Sequence, residues 1–264
     1  MRRWTGFSPS SRSGMARSVH RAYLRWLRTQ GEHSAHPTFE RTDEGWLLGV
    51  QALHSCRAPG NTCLSALRAP RMGSTEQPLN SSKGCGGAMR IAPVGLASAV
   101  GDPFAVGCEI AAITHGHPSG FLAAGFLALV IHEVAAGTPI GAACQEAMEE
   151  LSRHPAHREC TDAVERALSL SAERRGEASP EDVESLGGGW VAEEALGIGV
   201  FCALAAPDFE SALRLAVNHG GDSDSTGAIA GNLLGASLGE GAIPPRWLGV
   251  LELREEILRL AEEL

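Results

Sequence analysis

The stretch NHGGDSDSTGAIAG at residues 218–231 is the most informative segment of the chain. A glycine pair is followed by Asp222, Asp224 and Ser225, and these precede a run of small and apolar residues. Their oxygen-bearing side chains could converge on one hard cation, which prefers oxygen ligands. Alternatively, Asp224 or Ser225 caps a helix that begins near Thr226. On these residues alone the cap is the better explanation, because motifs this short often match by chance.

The residues after this turn favour a helix inside a bundle. Small side chains recur between residues 227 and 239, and they let other backbones approach closely. We therefore expect the turn to lie in a buried cleft. An EF-hand calcium loop starting at Asp222 is excluded, because its twelfth position needs a bidentate glutamate and holds Leu233.

Composition indicates one compact all-α domain spanning residues 1–264. Alanine, leucine and glutamate dominate, alternating β-branched segments are scarce, and 44% of the residues are hydrophobic. The chain has 22 basic residues against 31 acidic ones, and this balance argues against nucleic acid as a partner. Seven cysteines without a C-x-x-C pair fit a reducing cytoplasm rather than a disulfide framework. The longest apolar runs are shorter than the roughly 20 residues that span a bilayer, so we expect no membrane.

The two ends of the chain favour helices. Residues 1–31 contain seven arginines and no acid, as transit peptides do, but Met15, Val19, Tyr23 and Leu27 recur at helical spacing and favour a folded amphipathic helix. The C-terminal apolar stripe after residue 244 predicts a helix that docks on the core. Residues 174–189 are rich in charge, glycine and serine, which predicts a surface excursion or loop before the next helix.

Helix starts are indicated at three places. Asp102-Pro103 and His117-Pro118 place a proline in the first helical turn, and Asp208 is a suitable N-cap.

A second chemical segment is SSKGCGGAMR at residues 81–90. Its amide groups could point together at a phosphate, although a flexible turn explains the glycines equally well. No base can be paired with Cys85 from the sequence. We therefore interpret its thiol as lining a ligand pocket rather than as a nucleophile.

A third segment, THGHPSG at residues 114–120, forms a polar turn between two apolar helices. His115 and His117 could bind a metal or a sugar hydroxyl. A histidine in a turn is more often a cap or a solvated side chain, and His117, just before Pro118, fits that simpler role better than His115 does.

Taken together and in this order, these segments resemble the ADP-ribosylglycohydrolase family. The resemblance lies in GCGGAMRIAPVGL at 84–96, Thr114-His115, LGGGWVAEEA at 186–195 and GGDSDST at 220–226, with residues 228–239 and Ile243-Pro244 continuing it. It extends over nearly the whole chain, and the combination is far more specific than any one segment.

The resemblance implies the family's compact orthogonal helical bundle, with two Mg²⁺ ions at its centre beside the terminal ribose of the substrate. It assigns Asp222, Asp224 and Ser225 as metal ligands and makes the two aspartates catalytic. It also assigns substrate binding to residues matching the diphosphate loop and the ribose-side histidine: Lys83, Gly84, Cys85, Gly86, Gly87 and His115.

One part of the family pattern has no match in this sequence. Members carry an N-terminal Gly-Asp segment and a Thr-Asp-Asp-Thr motif that supply further acidic ligands, whereas the first acid here is Glu32. We therefore expect an N-terminally truncated family domain with an incomplete dimagnesium site.

The resemblance implies a hydrolase that removes ADP-ribose from a modified protein side chain or a related ADP-ribosyl compound. The alternative is a catalytically impaired fragment or pseudoenzyme that at most binds ADP-ribose. In a simpler alternative still, the chain is a helical scaffold whose aspartates only cap a helix.

Overall fold

The computed structural model describes residues 9–97 and 100–264, without the side chains of residues 9–13. In this part of the chain the backbone forms thirteen α-helices and no strand, so the predicted all-α fold is confirmed. The helices are α1 (Pro9–Thr29), α2 (Asn61–Arg68), α3 (Ala92–Leu96), α4 (Pro103–Ala112), α5 (Pro118–Ala135), α6 (Ile140–Leu151), α7 (Arg158–Glu173), α8 (Pro180–Ser185), α9 (Ala192–Ala205), α10 (Phe209–Val217), α11 (Ser223–Leu238), α12 (Pro245–Leu248) and α13 (Arg254–Glu262).

Helix α5 lies at the centre and contacts α3, α4, α6, α9 and α11. Its side chains are apolar on nearly every face, and such a helix must be buried on all sides. Phe126, Leu127 and Ile131 are fully buried. By length and hydropathy α5 is also the one helix of the described residues that could cross a membrane, but 72% of it is buried inside the protein, as in a core helix.

Glycines set the closest helix crossings. A Cβ on Gly125 of α5 would lie 2.4 Å from the Cys108 sulfur of α4. A Cβ on Gly199 of α9 would lie 2.4 Å from the Cγ2 of Ile229 on α11. Helix α11 is therefore packed inside the bundle, as its small residues predicted.

The three predicted helix starts are confirmed. Asp102 accepts a hydrogen bond from the Ala105 amide (3.0 Å) at the start of α4, and the His117 Nδ1 accepts one from the Ser119 amide (3.1 Å) at the start of α5. Asp208 accepts one from the Ser211 amide (2.8 Å) at the start of α10. These caps are local, so the sequence alone identifies them.

The two ends of the chain differ in how they pack. Helix α1 is amphipathic as predicted, with Leu24 and Leu27 fully buried, while residues 1–8 lie outside the described residues. The prediction that the C-terminal helix docks on the core is wrong. No residue of α13 is buried, and after residue 244 Trp247 is the one hydrophobic residue packed on the core, with its ring 6.3 Å from that of Phe209. The stripe predicts a helix but not the surface that the helix meets.

The prediction of a loop over residues 174–189 also needs correction. Pro180–Ser185 forms helix α8, which starts with a capping box between Ser179 and Asp182. The charged residues and glycines of this segment favour a loop, whereas the Ser-x-x-Asp spacing of a capping box indicates the short helix.

Candidate functional site

The aspartate turn (residues 218–226) ends in the first turn of α11. That helix begins at Ser223, with Asp222 at the N-cap position but with no capping hydrogen bond donated by a helix amide to its side chain. Asp224 and Ser225 therefore lie inside the helix and do not cap it, so the capping alternative is wrong. The Thr226 hydroxyl fixes the turn by donating to the carbonyl of Ala216 (2.7 Å).

A triple-glycine segment at residues 187–189 supports the aspartate turn from the other side. The Asp222 amide donates to the Gly188 carbonyl (2.8 Å). The Glu194 carboxylate also fixes the triple-glycine segment, because it accepts hydrogen bonds from the amides of Gly188 (3.0 Å) and Gly189 (3.1 Å). From the sequence this segment is part of the family resemblance but has no separate site role. Its three consecutive glycines are the available signal, and in the structure φ is +126° at Gly187 and +74° at Gly189.

The glycine loop (residues 84–87) meets the aspartate turn directly. The Cys85 thiol donates to Asp222 Oδ2 (2.8 Å) and lies 3.3 Å from the Ser225 hydroxyl. Ser225 also donates to the sulfur of Met89 (3.1 Å), another contact residue that sequence reasoning left open. The loop backbone is bound to the start of α9, because the Cys85 amide donates to the Trp190 carbonyl (3.3 Å). Two segments 137 residues apart thus form one site.

The ionisable groups at this junction affect one another. Burial, followed by the hydrogen bond to Asp222, raises the pKa of Cys85 to about 12, so its thiol keeps its proton and is no thiolate nucleophile. Burial alone would raise the pKa of Asp222, but hydrogen bonds with Asp224 and Cys85 bring it below its ordinary value. The hydrogen bond with Asp222 raises the pKa of Asp224, which is exposed. In this pair Asp222 therefore keeps its negative charge more readily than Asp224 does.

His115 lies under the glycine loop. Its side chain is only 3% exposed, and its ring lies 3.3–3.5 Å from the positions that Cβ atoms would take on Gly84, Gly86 and Gly87. Its Nδ1 lies 2.8 Å from the Thr114 hydroxyl. Burial, and then the charge of Arg90, lower the pKa of His115 to about 3, so the ring is neutral. The neighbouring His117 is the cap of α5, as the sequence favoured.

Lys83, which directly precedes the glycine loop, is paired with two glutamates. Its ammonium donates to Glu159 (2.9 Å) and, in a very short contact, to the buried Glu193. These hydrogen bonds, first that of Glu193, raise the pKa of Lys83 above its ordinary value. Both glutamates were missed as partners because they are distant in the sequence. The lysine therefore anchors the loop to α7 and α9.

A family model described as ADP-ribosylglycohydrolase matches residues 1–264. The chain belongs to the ADP-ribosylglycohydrolase family. The resemblance derived from the sequence motifs is thus confirmed, and the loop and turn described above are the segments that carried it.

Individual relatives agree with this assignment. The chain is 30% identical over 202 residues to an ADP-ribosyl-(dinitrogen reductase) glycohydrolase of Rhodospirillum rubrum, a match to 75% of this chain and 61% of the relative. It is 29% identical over 213 residues to ADP-ribosylhydrolase ARH3 of Bos taurus, a match to 69% of this chain and 57% of the relative. The chain spans about three fifths of the length of these curated relatives.

A solved structure has a similar fold. The structure titled ADP-ribosylglycohydrolase-related protein complex superposes with a TM-score of 0.62 and 27% sequence identity. The match extends over 92% of this chain and 77% of the solved one. The helical bundle of this family member is therefore that of its solved relative.

The oxygen donors of this family member are few. In the described part of the chain, no group of three or more histidine, cysteine or acidic side chains could hold a metal ion. The aspartate turn brings together two carboxylates and the Ser225 hydroxyl. Such a set of hard oxygen donors fits Mg²⁺, which keeps several of its waters when few protein ligands are present. Two octahedral ions need more oxygen atoms than these three side chains supply.

Proposed function

We propose that this chain is a hydrolase that releases ADP-ribose from a modified protein side chain or a related ADP-ribosyl compound. The observation that carries this proposal is the contact of the two family segments, with the Cys85 thiol 2.8 Å from Asp222 Oδ2. Relatives named ADP-ribosylhydrolase ARH3 and ADP-ribosylarginine hydrolase Tri1 support the same reaction class.

The glycine loop would bind the diphosphate of the substrate. Among the described residues, the amides of Gly86 and Gly87 have no backbone or side-chain acceptor. Free amides in a tight glycine turn are suitable donors for phosphate oxygens. His115 occupies the inner side of this loop and supports its shape. A side chain at Gly86 would press on the ring from 3.3 Å, so Gly86→Val should weaken ADP-ribose binding in calorimetry.

The aspartate turn would hold Mg²⁺ through Asp222, Asp224 and Ser225, and the family's second ion would need further oxygen ligands. When bound, Mg²⁺ would orient the ribose hydroxyls and stabilise the charge that develops as the glycosidic bond breaks. The protein's own part is to fix these donors. The Cys85 thiol orients the inner carboxylate by donating to it, and the Gly188 carbonyl holds the backbone of the turn.

The test measures release of ADP-ribose from an ADP-ribosylated arginine protein with and without Mg²⁺. Asp222→Asn and Asp224→Asn should each abolish Mg²⁺-dependent release, because each removes a charged ligand. Asp208→Asn is the matched control, since that aspartate only caps α10 and asparagine caps equally well. Equal activity of all three variants would contradict the assignment of the aspartate turn.

The second candidate function is ADP-ribose binding without turnover. It is favoured by the small donor set, two carboxylates and one hydroxyl, that the described residues bring together. A protein that binds ADP-ribose but releases none from any modified protein, at any Mg²⁺ concentration, would establish this alternative and refute the hydrolase proposal.

A further inference from the structure

Arg90 is a half-buried cation at the end of the glycine loop segment. Its guanidinium donates through Nη2 to the Thr114 hydroxyl (2.5 Å) and through Nη1 to the Cys63 sulfur (3.2 Å), and its Cζ lies 4.5 Å from the centre of the Tyr23 ring. The Nε atom is buried and has no acceptor among the described residues. In that part of the chain no carboxylate forms an ion pair with Arg90, so its positive charge is not neutralised locally.

Both contacts of the guanidinium lead to the glycine loop. Thr114 bonds to His115, whose ring lies against the glycines of the loop. The Cys63 sulfur lies 3.9 Å from the position that a Cβ would take on Gly86. Arg90 is therefore placed on the inner side of the loop, separated from it by one side chain, Cys63, on one route and by two, Thr114 and His115, on the other.

The other cation of the segment cannot supply this charge. The Lys83 ammonium is bound to two glutamates, so the lysine and its partners together carry a net negative charge. Backbone amides contribute only partial charges. In a poorly hydrated site, a nearby full positive charge stabilises a bound anion more than partial charges do.

We propose that Arg90 provides the positive potential by which the glycine loop attracts a diphosphate, acting from beneath the loop rather than by direct contact. This inference rests on the proposed ADP-ribose function and makes Arg90 a positioning residue of that site. A guanidinium suits the role because it keeps its charge when buried and its fork can bond to Thr114 and Cys63 together.

The test compares ADP-ribose binding by calorimetry at a fixed Mg²⁺ concentration. Arg90→Gln should weaken binding roughly tenfold, because one nearby charge is lost, whereas Arg90→Lys should remain within about threefold of the parent. Arg68→Gln is the matched control, since that arginine is exposed and already paired with Glu32. Unchanged affinity of a folded Arg90→Gln protein would overturn the inference.

A second readout separates charge from simple structural support. The imidazole of His115 can be titrated by NMR, and Arg90→Gln should raise its pKa, because the neighbouring positive charge is gone. Arg68→Gln should leave that pKa unchanged. An unchanged pKa in Arg90→Gln would show that the guanidinium charge does not reach the loop and would overturn the inference.

Two further outcomes are decisive. If Arg90→Gln does not fold, Arg90→Lys decides the question. ADP-ribose affinity close to that of the parent supports the inference that the positive charge matters, and a loss of more than about tenfold in the folded protein overturns that inference. If the parent protein binds no ADP-ribose, the proposed function fails and this inference fails with it. Binding by the parent with equal binding by Arg90→Gln refutes the inference alone.

Discussion

Gly221 is the residue at which the geometry of the aspartate turn can be tested most directly. A Cβ at this position would lie 2.0 Å from the Gly188 carbonyl oxygen and 2.7 Å from its carbon. Both atoms belong to the backbone, so no side-chain rotation can relieve the contact. Gly221→Ala must therefore push the triple-glycine segment away from the turn, and with it the acceptor of the Asp222 amide.

The size of the effect follows from these two losses. Overpacking against a well-packed neighbour costs about 1–3 kcal/mol, and a lost buried hydrogen bond about 1 kcal/mol more. The sum is about 2–4 kcal/mol of unfolding free energy. For a chain of this length, that corresponds to a fall in Tm of roughly 5–15 °C.

Gly220→Ala provides the matched control one residue earlier. There a Cβ would meet only the carboxylate end of Glu184 at 3.4 Å, and that flexible side chain can move. Its Tm should stay within about 2 °C of the parent value. Thermal unfolding followed by far-UV circular dichroism measures both variants, with and without Mg²⁺. Mg²⁺ should raise the Tm of the parent and of Gly220→Ala more than that of Gly221→Ala, because the altered turn misplaces its ligands. Equal Tm values for the two variants would refute the reasoning.

The Lys83 ion pair, the buried His20 and helix α13 can each be tested by one change. Glu193→Gln should lower the unfolding free energy by about 1–3 kcal/mol in urea titrations, whereas Glu159→Gln, whose carboxylate is 51% exposed, should cost less than about 1 kcal/mol. Burial and the neighbouring His36 lower the pKa of His20 to about 4, so the folded protein keeps it neutral while the unfolded chain takes up a proton below about pH 6.5. The contribution of His20 to the unfolding free energy is thus complete above pH 6.5 and is lost as the pH falls towards 4, by up to ~1.4 kcal/mol per pH unit. His20→Gln should therefore make the unfolding free energy less dependent on pH over this range. Ending the chain after Leu253 should change the unfolding free energy by less than about 1 kcal/mol, because no residue of α13 is buried, and a much larger loss in urea titrations would contradict that account.

The predictable parts of the fold are those set by neighbouring residues. Asp102, His117 and Asp208 cap helices through amides two or three positions away, so a short window of sequence contains the whole signal. The same applies to the periodicity of α1 and to the small residues of α11. Helix α13 shows where such reasoning stops, since its apolar stripe identifies a helix but carries no information about its partner. The partner is a matter of tertiary packing.

The candidate site likewise has parts that local sequence reveals and parts that depend on tertiary packing. Its acids and glycines are visible as motifs, but the motifs do not show which charged side chains pair with one another around the loop. Lys83 stands next to the glycines in the sequence, and its neighbours in the chain do not reveal its acidic partners. The fold brings Glu159 and Glu193, 76 and 110 residues away, onto its ammonium. It leaves Arg90, at the far end of the same segment, without a carboxylate partner among the described residues and close under the loop. The two acids that pair with Lys83 come from helices α7 and α9. The charge of this loop is therefore a property of the packed bundle.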